Sequence, residues 1–170
     1  GPTEVGIVMT RGKTEQAGYA LDSSAELVGY YNDYFGMDYP LPKLDNVAAP
    51  GQSQFFGAME NWGAILTFKS ILWVDPTLTS TRRKQQIYST DAHEIAHQWF
   101  GNIVTMGWWD DLWLNEGFAS WMETKATMHF NPEWQAELSR VGGREAAMAL
   151  DSVATTHPVI QDIRTVDQIN

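Results

Sequence analysis

The sequence predicts an α+β fold, a small mixed-sheet lobe to about residue 78 followed by a helical lobe over 79–170, and three observations predict it. Short apolar runs bounded by Gly, Pro or Asp recur in the first part, at residues 5–9, 43–50, 65–68 and 71–74. From Thr79 to about Leu150 apolar residues instead return every three or four positions, the period of helices that bury one face. One stretch of that same period, residues 15–35, sits inside the strand-rich part. With 170 residues, 44% of them hydrophobic and 12% aromatic, the chain is long enough to bury a core as one domain.

Taken in order, the strand at 5–9 ends at Arg11-Gly12-Lys13. Gly12-Lys13-Thr14 resembles the end of a phosphate loop, but Gly6 lies one residue too far upstream for the required spacing. Over 15–35 the apolar positions 17, 20, 21, 25, 27, 28, 31, 34 and 35 form a helical stripe, and Gly36 supplies a stop. Tyr39-Pro40-Leu41-Pro42 cannot be helical, because proline lacks the N–H and forces its predecessor extended, so it leads into a strand at 43–50. A loop at 50–54 precedes Gly57-Ala58-Met59-Glu60-Asn61-Trp62-Gly63-Ala64, which leads into strands at 65–68 and 71–74 closed by Asp75-Pro76. From composition alone, Glu60 reads as a solvent-facing acid at a sheet edge.

Thr79 or Ser80 can cap a helix running to about Phe100, with Gly101 as its stop. Its buried stripe is Ile87, Tyr88, Ala92, Ile95, Ala96 and Trp99, while His93 and His97 share an adjoining face with Gln86 and Thr90. Residues 102–109 cross back, and Asp110-Asp111 opens a second helix that carries Glu116 and continues through Trp121 toward Met128. Acids at a helix start are favoured by the dipole, and one of these two is a candidate to orient a histidine through its second ring N–H. Pro132 starts a further helix to about Leu150, and the tail after Asp151 has little pattern. The eight Trp crowd toward this second half and read first as core packing; His129 and His157 belong to no motif and read as surface or packing residues.

Charge and composition remove several classes. A formal net charge of −10 argues against nucleic acid, whose phosphates need a basic face. Neither an apolar run of membrane-spanning length nor a charged-then-apolar leader occurs, so nothing in the chain is expected to cross a bilayer. With no Cys, any metal must be held by histidine and carboxylate, and the compartment stays undecided. No Ser/His/Asp or Cys/His pattern stands out.

His93-Glu94-Ile95-Ala96-His97 is the stretch with metal-site spacing. Four residues on a helix turn both imidazoles to one face about one turn apart, close enough to grip one zinc ion. Glu94 then stands beside the metal, placed to take a proton from water and return it to a leaving amine. A catalytic zinc has three protein ligands, and Glu116 in Leu112-Trp113-Leu114-Asn115-Glu116-Gly117-Phe118 fits, with eighteen residues between it and His97. That interval lets one helix end, the chain turn, and a second helix return.

These residues, together with Gly57-Ala58-Met59-Glu60-Asn61, resemble the zinc aminopeptidases of the aminopeptidase N type, which pair a G-x-M-E-N segment with H-E-x-x-H-(x18)-E. The residues at 39–45, His97-Gln98-Trp99-Phe100-Gly101-Asn102 and residues 108–119 match as well, so the likeness covers most of 25–125. The resemblance implies a partial thermolysin-like catalytic domain over 1–170, its helical lobe holding one zinc ion on His93, His97 and Glu116 with Glu94 as base. It further implies that Gly57, Ala58, Met59, Glu60 and Asn61 form the substrate-binding segment, Glu60 holding the free α-amino group of a peptide. Family members are several times longer, so further domains are expected to flank this region. They also use a tyrosine beyond the third ligand to stabilise the oxyanion, and no Tyr follows Tyr88 here. Two alternatives stay open: a non-catalytic zinc-binding fragment or interaction domain, and a bifunctional epoxide hydrolase/aminopeptidase.

Overall fold

The computed structural model describes residues 2–53, 56–156 and 158–165. Four strands, β1 (Glu4–Val8), β2 (Lys43–Ala49), β3 (Ala58–Met59) and β4 (Ala64–Phe68), form one mixed sheet in the order β1-β2-β4-β3. β1, β2 and β4 are parallel neighbours, whereas β3 runs antiparallel to β4, pairing Ala58 with Thr67 and Met59 with Leu66. Two parallel strands need a long crossover, and helix α1 (Gly18–Phe35) supplies it between β1 and β2. It ends on Gly36, whose φ of 63° is a left-handed conformation open to glycine.

Helices α2 (Thr81–Trp99), α3 (Leu112–Phe130) and α4 (Ala136–Asp151) follow. Of the two caps the sequence offers, Thr79 and Ser80, it is Ser80 that caps α2, by accepting a hydrogen bond from the Arg83 N–H. The expected stripe of α2 is all buried, and all of it but Ile87 packs with Leu27, Tyr31, Leu44, Ile65, Ala119 and Met122 in one core. Ala92, Ala96, Ala119 and Ala126 are wholly buried, and their small side chains let α2 and α3 approach closely. Burying Ile95 alone contributes about 1.5–3 kcal/mol. Beneath the helix, Asp91 accepts from Ser24 Oγ at 2.7 Å and Asn46 Nδ2 at 3.1 Å, tying α1 and β2 to α2. Burial pushes the Asp91 carboxyl up to about 7, against the pull of those two donors.

Three expectations change. Residues 71–74 are not a strand: Lys69–Ile71 is a 3-10 turn, and Leu72 and Val74 are buried against Ala20 and Ile87. Their apolar run reflects burial beneath α1 and α2, not pairing in the sheet. The helix expected from Pro132 is broken, because Pro132–Trp134 makes a 3-10 turn and Gln135 takes φ 51° before α4 begins. The tryptophans are not all core: Trp99 is 2% exposed, but Trp62, Trp108, Trp109, Trp113 and Trp121 lie between 39% and 60%. His129 stacks on Tyr30 with ring centroids 4.8 Å apart, a packing role, while His157 lies outside the described residues. Among the described residues no helix is long and apolar enough to cross a membrane.

Candidate metal centre

The face of α2 that carries His93 and His97 meets the first turns of α3, and the two helices bring three ligand-type side chains to one point. His97 Nε2 lies 3.0 Å from His93 Nε2, and Glu116 Oε2 lies 3.2 Å from that His93 nitrogen and 3.6 Å from that of His97. Among the described residues, His93, His97 and Glu116 are the group able to hold a metal ion. Zinc bonds of about 2.0–2.2 Å in a tetrahedron separate neighbouring ligand atoms by about 3.3–3.5 Å. The observed triangle, with sides of 3.0, 3.2 and 3.6 Å, lies close to that spacing, so the residues present fit the ion.

Ring orientation supports the same fit. His97 Nδ1 lies 3.0 Å from the Phe100 carbonyl, which can only accept, and 2.9 Å from Asn115 Oδ1. The proton therefore belongs on Nδ1, assigned from these partners, and Nε2 turns its lone pair to the centre. His93 Nδ1 faces Glu123 Oε2 at 3.3 Å, which fixes the same tautomer by the same logic. Gly101, at φ 128°, makes the His97 contact possible, since a Cβ there would collide with Asn115 Oδ1.

The electrostatics follow the contacts. Burial works against protonation of both histidines, but the carboxylate of Glu116, and that of Glu123 in the case of His93, accept hydrogen bonds from the rings and raise their pKa values. Those same bonds hold the Glu116 carboxyl down to about 2. Glu94 is 7% exposed, and burial raises its carboxyl to about 7 in spite of the two histidines.

A cleft of about 220 Å³ opens here, lined by Gly57, Ala58, Ser89, Thr90, His93, Glu94 and Glu123. The residues taken from the G-x-M-E-N segment thus divide. Gly57 and Ala58 reach the cleft, Met59 is exposed on the edge strand, and the Asn61 carbonyl closes a turn by accepting from the Ala64 N–H. Glu60 sits just past β3, its Oε1 3.4 Å from Asn115 Nδ2, so one asparagine spans the gap between Glu60 and His97. A larger cleft of about 430 Å³ between α2, α3 and α4 contains none of the three ligands.

Among the described residues neither Asp110 nor Asp111 orients a histidine; Asp110 Oδ1 instead accepts from the Ile163 N–H at 2.8 Å. That part falls to Glu123 and Asn115, which sequence reading missed. The pattern held a clue to both: Glu123 stands seven residues after Glu116, two helical turns along the same face, and Asn115 is its neighbour.

The sequence profile described as Peptidase family M1 domain matches residues 19–170. Aminopeptidase M1-B of Oryza sativa subsp. japonica is 43% identical over 168 residues, 99% of this chain and 19% of that protein. Puromycin-sensitive aminopeptidase of Caenorhabditis elegans is 43% identical over 98% of this chain and 18% of its own length. Aminopeptidase N of Acetobacter pasteurianus is 52% identical over 120 residues, 71% of this chain and 34% of that protein. The chain therefore spans between about a sixth and a third of the relatives it matches.

Proposed function

We propose, because this chain belongs to peptidase family M1, that it is the metal-and-base core of a zinc-dependent aminopeptidase that releases N-terminal amino acids from peptides. The observation that carries this reading is the convergence of His93, His97 and Glu116 beside a buried, unligating Glu94. Bound there, a zinc ion would supply Lewis acidity toward the scissile carbonyl and bring the pKa of water to about 7. Glu94, its carboxyl raised to about 7, is suited to accept a proton from the attacking water and pass it to the amine that leaves. Glu60 supplies a fixed negative charge for the substrate's free ammonium. The edge strand β3, paired among the described residues on one side only, offers its other edge to an extended peptide.

Such an arrangement selects chain ends: only a peptide whose α-amino group reaches Glu60 has its first peptide bond at the metal. Tyr88, the last tyrosine in the sequence, packs edge-on against Trp134 at 5.6 Å and is buried, so it is no oxyanion donor to this cleft. In this reading that donor comes from outside these 170 residues, and removing an oxyanion donor costs about a hundred- to a thousandfold. The 170-residue chain alone is accordingly expected to bind zinc with little turnover.

The test measures zinc content and hydrolysis of aminoacyl reporter substrates for the full-length protein that contains this chain. One zinc per chain, activity abolished by chelator and restored by zinc, and preference for free over N-acetylated amines are expected. Activity indifferent to chelation, or favouring blocked peptides, contradicts the proposal.

A further inference from the structure

Gln98 is a polar side chain with no exposure, and both ends of its amide are occupied. Its Oε1 accepts from Tyr39 Oη at 3.0 Å and the Gly63 N–H at 3.3 Å. Its Nε2 donates to the backbone carbonyl of Glu60 at 3.0 Å, with a weaker contact to the Glu94 carbonyl at 3.5 Å. Asn102, three residues past the end of α2, donates from Nδ2 to the same Glu60 carbonyl at 2.8 Å. Glu60 lies one residue beyond the last ladder pair of β3, so these two amides hold its backbone where the sheet no longer does.

We propose that Gln98 and Asn102 are positioning residues that fix Glu60 relative to the metal ligands and thereby set the preference for a free amino terminus. The inference rests on the reading of Glu60 as the amine anchor. Gln98 follows His97 directly in α2, so the helix turn that aims one imidazole at the metal also aims its neighbour at the Glu60 backbone. Asn115 closes the circuit from the other side, accepting from His97 Nδ1 and facing the Glu60 carboxylate with its amide N–H. The distance between metal and anchor is thus set by rigid elements: α2, the turn after it and the start of α3. A misplacement of about 1 Å in such an arrangement can cost about a hundredfold in rate. Buried amides placed for packing alone would affect folding but not selectivity for the amine.

Asn102→Ala removes one donor at a half-buried position and is the safer variant; Gln98→Glu removes the other while keeping its shape. Each is made in the zinc-loaded full-length protein. Inhibition constants are measured for an amino-acid hydroxamate and for its des-amino analogue, whose ratio isolates what the amine adds. The expected result is a ratio about tenfold smaller in Asn102→Ala, the loss expected of one hydrogen bond. KM for free-amine substrates should rise more than kcat falls, and zinc content should stay at the parent level. An unchanged ratio in a folded, zinc-replete Asn102→Ala variant overturns the proposal. Glu60→Ala is run alongside. If it too leaves the ratio unchanged, the anchor reading itself is wrong and the positioning role falls with it; if it collapses the ratio while Asn102→Ala does not, only the positioning role is wrong.

Discussion

Helices α2 and α4 differ in the way most relevant to this chain. α2 is polar on average yet buries Asp91, Glu94, His97 and Gln98 along with its apolar stripe. α4 is the more clearly amphipathic of the two, yet none of its residues is buried, and Leu138, Met148 and Leu150 are 62–74% exposed. Amphipathic pattern shows which face of a helix wants a partner; contacts across elements decide whether that partner lies in the same stretch of chain. In α2 every buried polar side chain named above has a place in the hydrogen-bond network or in the proposed site, as proposed base, ligand or pin, and the apolar residues around it are the scaffold.

The largest test of that contrast is truncation in each helix. Trp99→Ala in α2 should cost about 3–5 kcal/mol of unfolding free energy, whereas Met148→Ala in α4 should stay within about 0.5 kcal/mol by denaturant titration. Comparable losses in the two would show that α4 is held as firmly as α2. Next come the groups that orient the histidines. Glu123→Ala and Asn115→Ala should each weaken zinc affinity about 10- to 100-fold in competition with a chelator, while Asp111→Ala should not. The helix starts give the smaller effects. Ser80→Ala should cost about 1 kcal/mol, because it frees the Arg83 N–H that Ser80 now satisfies. Gln135→Gly should gain about 0.5–1 kcal/mol, since Gln135 opens α4 in a left-handed conformation without a side-chain cap. A loss at Gln135→Gly would mean that its side chain does something the backbone strain conceals.

Much of α2 was legible in the sequence because its determinants are local. A cap at Thr79 or Ser80, the stripe from Ile87 to Trp99 and the pair His93 and His97 all follow from helical period and capping chemistry. The place of Glu116 beside the two histidines was legible from its spacing, whereas the anchor role proposed for Glu60 comes only from the family likeness, since composition placed it as an ordinary edge acid. What stayed hidden depends on distant contacts. Leu72 and Val74 look like a strand because burial under α1 and α2 demands the same apolar residues that a central strand would. The break at Gln135 has no composition cue, because glutamine is not a residue that ordinarily marks left-handed backbone. The exposed tryptophans were expected inside because size and hydrophobicity describe a residue, whereas burial describes its surroundings. Asn115 and Gln98 are polar residues next to proposed ligands, and only coordinates reveal that one joins His97 to Glu60 and the other hydrogen-bonds the Glu60 backbone.

The central claim is that Glu94 moves the proton while His93, His97 and Glu116 hold the metal. Glu94→Gln in the full-length protein, with zinc content and turnover determined on the same sample, tests it most directly. The account predicts parental zinc content and a fall in kcat of about 10²–10⁴-fold. Parental turnover in the zinc-replete variant, or loss of zinc together with activity, would contradict the division between base and ligands.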